Sequence, residues 1–94
     1  MNIDPYIIDT LMADLAGHDK TPAAFIVYLF LYRHAAGRPP SLRASHQTVA
    51  DETGLSKSAV QAALRHLNRR KLVRSARESQ TATPRHFVLR PWLR

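Results

Sequence analysis

The sequence predicts a mainly α fold, about four helices followed by a C-terminal β-hairpin, and three observations lead there. Apolar residues recur at three- and four-residue spacing along most of the chain as far as Leu67. These stripes open at an Asp, Thr or Ser and close at Gly or Pro, the punctuation of short helices. Beyond Leu67 the pattern gives way to short β-prone runs on either side of a polar stretch.

Taken in order, Asp4-Pro5 reads as N-cap and first helical position, because an Asp oxygen accepts an orphan amide and Pro has no amide to leave unpaired. Ile7, Ile8, Leu11, Met12 and Leu15 then form one apolar stripe, and Gly17 is expected to stop the helix. Thr21-Pro22 repeats the start signal, and Gly37 with Pro39-Pro40 ends the second helix. Its interior, AAFIVYLFLY, is apolar around the whole circumference, so it must be covered on more than one side. Ser45 is expected to cap a short helix, His46 to Thr53, with Val49 and Ala50 inward and Gly54 as its break. Ser56 caps the next, in which Val60, Ala63, Leu64 and Leu67 make the buried stripe. Leu72-Val73 and His86 to Leu89 flank RSARESQTATPR and read as a hairpin.

Composition narrows the function classes. A chain of 94 residues can bury one modest core, so 1–94 reads as a single domain, with 1–20 a helix serving dimerisation or core capping. Without Cys there is neither a disulfide framework nor a thiolate zinc site, which fits a reducing compartment. The first residues lack a basic signal-peptide region, and the longest apolar run, Ala23 to Tyr32, is half of the ~20 residues a membrane span needs. The expectation is a cytoplasmic protein with no membrane partner. Charge is unevenly placed. Up to Tyr32 one Lys stands against four Asp, a net of −3; from Arg33 onward eleven Arg and two Lys face three acids, a net of +10. Such polarity offers a positive face to a polyanion: DNA, RNA or an anionic membrane.

The stretch from Gln47 to Val73 discriminates among these. Where two short helices cross closely, a small residue is wanted at the crossing, and Ala50 supplies it. Four residues on the chain must turn sharply, which suits the left-handed freedom of Gly54. Six further, Val60 locks the second helix to the core, with Leu55 and Leu64 filling the remaining apolar slots. QTVADETGLSKSAVQAALRHLNRRKLV resembles the winged helix-turn-helix domains of bacterial and phage regulators and replication proteins, and the resemblance extends over roughly Thr21 to Leu89. It implies that the second helix of the motif lies in the major groove of double-stranded DNA and that the hairpin wing touches the adjacent backbone or minor groove. Two departures stand out: Lys71 occupies the place where the family usually has Gly, and the wing has no Gly at its tip.

With the stripe of Val60, Ala63, Leu64 and Leu67 turned inward, Lys57, Gln61, Arg65 and Arg69 form one four-residue-spaced ridge on the opposite face, with Ser56, Ser58 and Ala62 beside it. Gln can pair with adenine and Arg with guanine, while Lys and Ser suit phosphate oxygens. Arg74, Arg77 and Arg85 are the expected wing and backbone contacts. The expected dimer interface is Ile7, Ile8, Leu11, Met12 and Leu15, because a second copy would double the contact on a palindromic site.

The remaining residues read as structural. His18, His34, His46, His66 and His86 include no pair at metal-binding helical spacing, so no metal is expected. His66 is either a phosphate contact or a solvated imidazole. Asp51-Glu52 reads as exposed charge, and Ser56, Ser58 and His66 form no nucleophile set, so no catalysis and no cofactor are expected. Phe25, Tyr28, Phe30 and Tyr32 read as core; Trp92 plugs the core or a subunit interface. The leading expectation is sequence-specific regulation of transcription by a homodimer. Alternatives are a phage or plasmid replication factor and a winged module that docks proteins. Nothing in the sequence identifies a small-molecule effector.

Overall fold

The computed structural model describes residues 2–93. The chain opens with a helical segment over 5–18, within which Ile7–Leu11 and Asp14–His18 are π-helical turns. Asp4 starts it as expected: its carboxylate accepts from the Tyr6 amide (3.0 Å) and its carbonyl from the Ile7 amide (2.9 Å). Gly17 does not end it. The helix runs on to His18, and the reversal falls at Lys20, which takes a left-handed φ of 56° while the Thr21 amide bonds back to the Leu15 carbonyl at 2.8 Å.

Helix α1, Pro22–His34, begins with Pro in its first turn, yet Thr21 makes no side-chain cap. Its hydroxyl donates instead to the Leu15 carbonyl (3.0 Å), tying the two helices at their junction. As its all-round apolar sequence requires, α1 is covered on several sides: by the N-terminal helix, by the two helices that follow, and by the sheet. Ala24, Phe25, Val27, Tyr28 and Leu31 are buried, and the Tyr28 hydroxyl donates to the Leu89 carbonyl at 2.9 Å. Burial drives the Tyr28 phenol's pKa upward. The aromatic residues read as core are accordingly buried or half-buried.

Strand β1, Ser41–Arg43, was not foreseen in the sequence; three residues are too few to show a period. Helix α2, His46–Thr53, has the expected bounds, and helix α3, Lys57–Arg69, starts at the expected Ser56 cap; both bury the expected inward residues. Strands β2, Val73–Ala76, and β3, Arg85–Val88, make the hairpin, and β1 pairs with β3 on the other side. The result is a three-stranded antiparallel sheet in the order β1-β3-β2 rather than a bare hairpin. This is the winged helix-turn-helix architecture that the sequence led us to expect. No helix among the described residues is long and apolar enough to cross a membrane.

The core joins Ile7, Leu11 and Leu15 of the N-terminal helix to α1, to the inward faces of α2 and α3, and to Leu72, Val73 and Val88. Trp92 lies against the same end of the molecule. Its ring stacks on Tyr6, centroids 4.4 Å apart, and its indole N–H donates to the Asp4 carboxylate at 2.9 Å.

Candidate nucleic-acid interface

The two helices of the motif are held by the features the spacing required. The Ser45 hydroxyl accepts from the Thr48 amide and the Ser56 hydroxyl from the Ala59 amide, both at 3.1 Å, so each helix has a true N-cap. Gly54 sits at φ 80°, ψ 6°, its amide bonded to the Ala50 carbonyl at 3.0 Å. Leu55 is half-buried in the turn, and Val60 is fully buried. These anchors fix the rotation of α3 and so decide which of its side chains face outward.

Those are the residues the ridge predicted. Ser56, Lys57, Ser58, Ala62, Arg65 and Arg69 are exposed and Gln61 is half-exposed. None of the Lys57, Gln61 and Arg65 side chains is tied up in an intramolecular hydrogen bond among the described residues, while Arg69 leans toward the His66 ring at 3.3 Å. Between α3 and the wing runs an open cleft of about 650 Å³. Gln61, Arg65 and Arg69 line one wall, Arg77 the other, and Asn68, Ser75 and His86 the floor.

That floor is a hydrogen-bonded chain that locks the wing to the helix. The Asn68 amide group donates to the Leu64 carbonyl (2.8 Å) and to the Ser75 hydroxyl (3.1 Å), and its oxygen accepts from the Ser75 amide (3.0 Å). The Ser75 hydroxyl lies 2.7 Å from His86 Nδ1, and His86 Nε2 lies 3.1 Å from the Ala44 carbonyl. A carbonyl can only accept, so Nε2 carries a proton, and in the neutral ring Nδ1 accepts from Ser75. His86 is 1% exposed, and burial holds its pKa below the ordinary value while the bond to Ala44 partly opposes the shift. Nothing in the sequence marked this trio, because its members are seven and eleven residues apart and join only through the sheet register Ser75↔His86.

The exit from α3 explains Lys71. The Leu72 amide bonds to the Leu67 carbonyl (3.0 Å) and the Lys71 amide to the Asn68 carbonyl (3.1 Å), the pair of bonds that defines a Schellman cap. That motif needs a left-handed residue, and Lys71 takes it at φ 58°. The departure from Gly is thus absorbed as strain rather than as a longer helix.

Several expected contacts lie elsewhere. Strand alternation points Val73, Ser75, His86 and Val88 inward, so Arg74 and Arg85 stand on the outer face of the sheet, turned from α3. Arg74 lies over the Phe87 ring, 4.0 Å from its centroid, and Arg85 donates to the Ser41 hydroxyl at 3.0 Å. Of the three wing arginines only Arg77 lines the cleft. His66 is neither solvated nor turned to the ridge: its Nε2 lies 2.7 Å from the Asp19 carboxylate, with the side chain 17% exposed. Arg70 bonds to the same carboxylate and to Asp14 at 2.6 Å, fastening the N-terminal helix to α3. Asp14, His18 and Asp19 bring ligating atoms within 4.8 Å of one another, but the guanidinium of Arg70 already compensates both carboxylates. Ile7, Leu11 and Leu15 are 0%, 2% and 0% exposed within this one chain, so they are core and cannot also meet a second copy. Ile8 and Met12, at 41% and 40%, remain outside.

Comparison with known proteins agrees with the geometry at the level of the motif. A family described as a helix-turn-helix domain matches residues 18–73, which takes in α1, α2, the turn at Gly54 and the whole of α3. No curated protein and no solved structure matches the chain. With well over half of its length inside that match, the chain belongs to the helix-turn-helix domain family.

Proposed function

We propose that the protein binds double-stranded DNA sequence-specifically and regulates transcription as a homodimer. The observation that carries this reading is the ridge of α3. Lys57, Gln61, Arg65 and Arg69 share one outward face of a helix whose other face is buried, on a family fold that points to DNA binding. An α-helix fits the major groove, where Gln61 and Arg65 at mid-ridge would meet base edges and Lys57 and Arg69 the flanking phosphates. Arg77 across the cleft would hold the backbone beside the groove. The working interface is therefore the ridge together with Arg77.

Dimerisation in this reading uses Ile8 and Met12, the exposed apolar pair of the N-terminal helix, and places two α3 helices on half-sites about one helical turn apart or a multiple of it. Pull-down of fragmented genomic DNA followed by sequencing tests the function. Enrichment of promoter-proximal palindromes is the expected result. Enrichment at a replication origin would move the role to replication, and no enrichment of any sequence would refute specific binding.

A further inference from the structure

We propose that the outer face of the three-stranded sheet is a second phosphate-binding surface, with which the protein holds a second DNA duplex beside the one on α3. The proposal rests on the reading of α3 as a duplex-binding helix. Register and alternation place Arg43, Arg74 and Arg85 together on this face, the side turned from α3. Arg43 and Arg85 are direct cross-strand partners, a like-charged pair that works against the sheet unless an anion lies over it. Among the described residues the one acid that makes an ion pair with either is Glu78, which reaches Arg43 only at 3.9 Å with its side chain 84% exposed, too loose and too solvated to settle two guanidinium groups.

The guanidinium groups are also held ready. Arg74 lies over the Phe87 ring, and its N–H groups make no hydrogen bond among the described residues, while Arg85 is steadied by Ser41. Strands lie about 4.8 Å apart, so Arg43 and Arg74 on the two outer strands span on the order of 10 Å, two or three phosphates of one DNA strand. Phe87 is the one large apolar side chain on the face, and Arg74 covers it, which leaves charge rather than apolar burial to recognise a partner. A single straight duplex in the cleft of α3 cannot also lie flat on the opposite side of the sheet. The partner that matches this surface is the backbone of a second duplex.

The test is capture. A biotinylated duplex is fixed to beads, protein is added, and retention of a second, fluorescent duplex is measured; affinity for one duplex is read separately by anisotropy. Wild type should retain the second duplex. In the Arg43→Ala/Arg85→Ala variant capture should drop about tenfold while single-duplex affinity changes less than about twofold, since two phosphate contacts are lost only from the outer face. Arg43→Lys/Arg85→Lys, which keeps the charge, should restore most of the capture. The alanine variant should melt no lower than wild type, because it removes a repulsive pair. Undiminished capture by that variant would mean that two copies bridge through their α3 helices, and it would overturn the proposal. So would a wild type that binds one duplex and captures no second, a result that leaves the reading of α3 intact. Absence of any duplex binding would remove both.

Discussion

Two residues in left-handed backbone make opposite predictions. Beyond its own chain neighbours, Gly54 at φ 80° has no atom within 4 Å of where a Cβ would stand, so the obstacle to a side chain there is the backbone itself. Gly54→Val should cost about 1–2 kcal/mol, seen as a lower melting temperature. Lys71 at φ 58° already bears that strain. Lys71→Gly relieves about 1–2 kcal/mol of it and gives back about 0.5–1 kcal/mol in chain entropy, so the variant should melt at or slightly above wild type. A stabilised Gly54→Val or a clearly destabilised Lys71→Gly would contradict the assigned turns. At this scale the sequence was legible wherever a residue's role is local. Gly54, the Ser45 and Ser56 caps and the inward stripe of α3 follow from neighbours a turn away. Gly17 misled because a π turn carries the helix past it, and the actual stop, Lys20, has no side-chain signature for a left-handed position.

At the scale of elements, the wing is held to α3 by a polar chain centred on a histidine that burial biases toward its neutral form. Burial depresses the pKa of His86, and burial together with Arg77 and Lys57 depresses that of the nearby His46. Above the ordinary histidine value near 6.5 both folded and unfolded chains are neutral at these sites, and the full stability is present. As pH falls below it the unfolded chain takes up protons that the folded one refuses, and stability declines. Melting temperature should therefore drop from pH 7 to pH 5, and Ser75→Ala, which leaves Nδ1 without its donor, should lower stability at every pH by about 1–3 kcal/mol. A flat profile across that interval would show that His86 is not buried neutral. None of this was readable in the sequence, since strand register brings Ser75 to His86 and the packing of α3 on β2 brings Asn68 to Ser75. The same register, invisible beforehand, turned Arg74 and Arg85 to the outer face and left Arg77 at the cleft.

For the molecule as a whole, the N-terminal helix is part of the fold rather than an appendage. Its Ile7, Leu11 and Leu15 close the core, and Asp14 and Asp19 grip Arg70, the residue that follows α3. Hydrogen bonds from His18, then His66, then Arg70 hold the Asp19 carboxyl down to about 2. A depressed acid contributes its stability above its unfolded value, and this contribution is lost as pH falls from about 3.8 toward 2. Asp19→Asn should abolish that acid-side loss, measured by melting over the same interval. The stripe of five apolar residues was visible in the sequence, but its division into three core residues and two exposed ones depends on how the helix rolls onto α1. If Ile8 and Met12 join two copies, Ile8→Glu/Met12→Glu should halve the mass seen by sedimentation equilibrium at micromolar concentration. A wild type that is already monomeric there would confine the helix to its own core.

The central claim is that the ridge of α3 reads duplex DNA, and the most direct measurement is affinity for a selected duplex across a salt series. For wild type, log affinity should fall linearly and steeply with log salt, as release of counterions by the basic ridge requires. Gln61→Ala and Arg65→Ala should each weaken the selected site by about 1–3 kcal/mol and relax base preference locally, with circular dichroism unchanged. Arg77→Ala should reduce the slope by about one unit without changing the preferred sequence. A salt slope near zero, or wild-type affinity in both the Gln61 and Arg65 variants, would contradict the account.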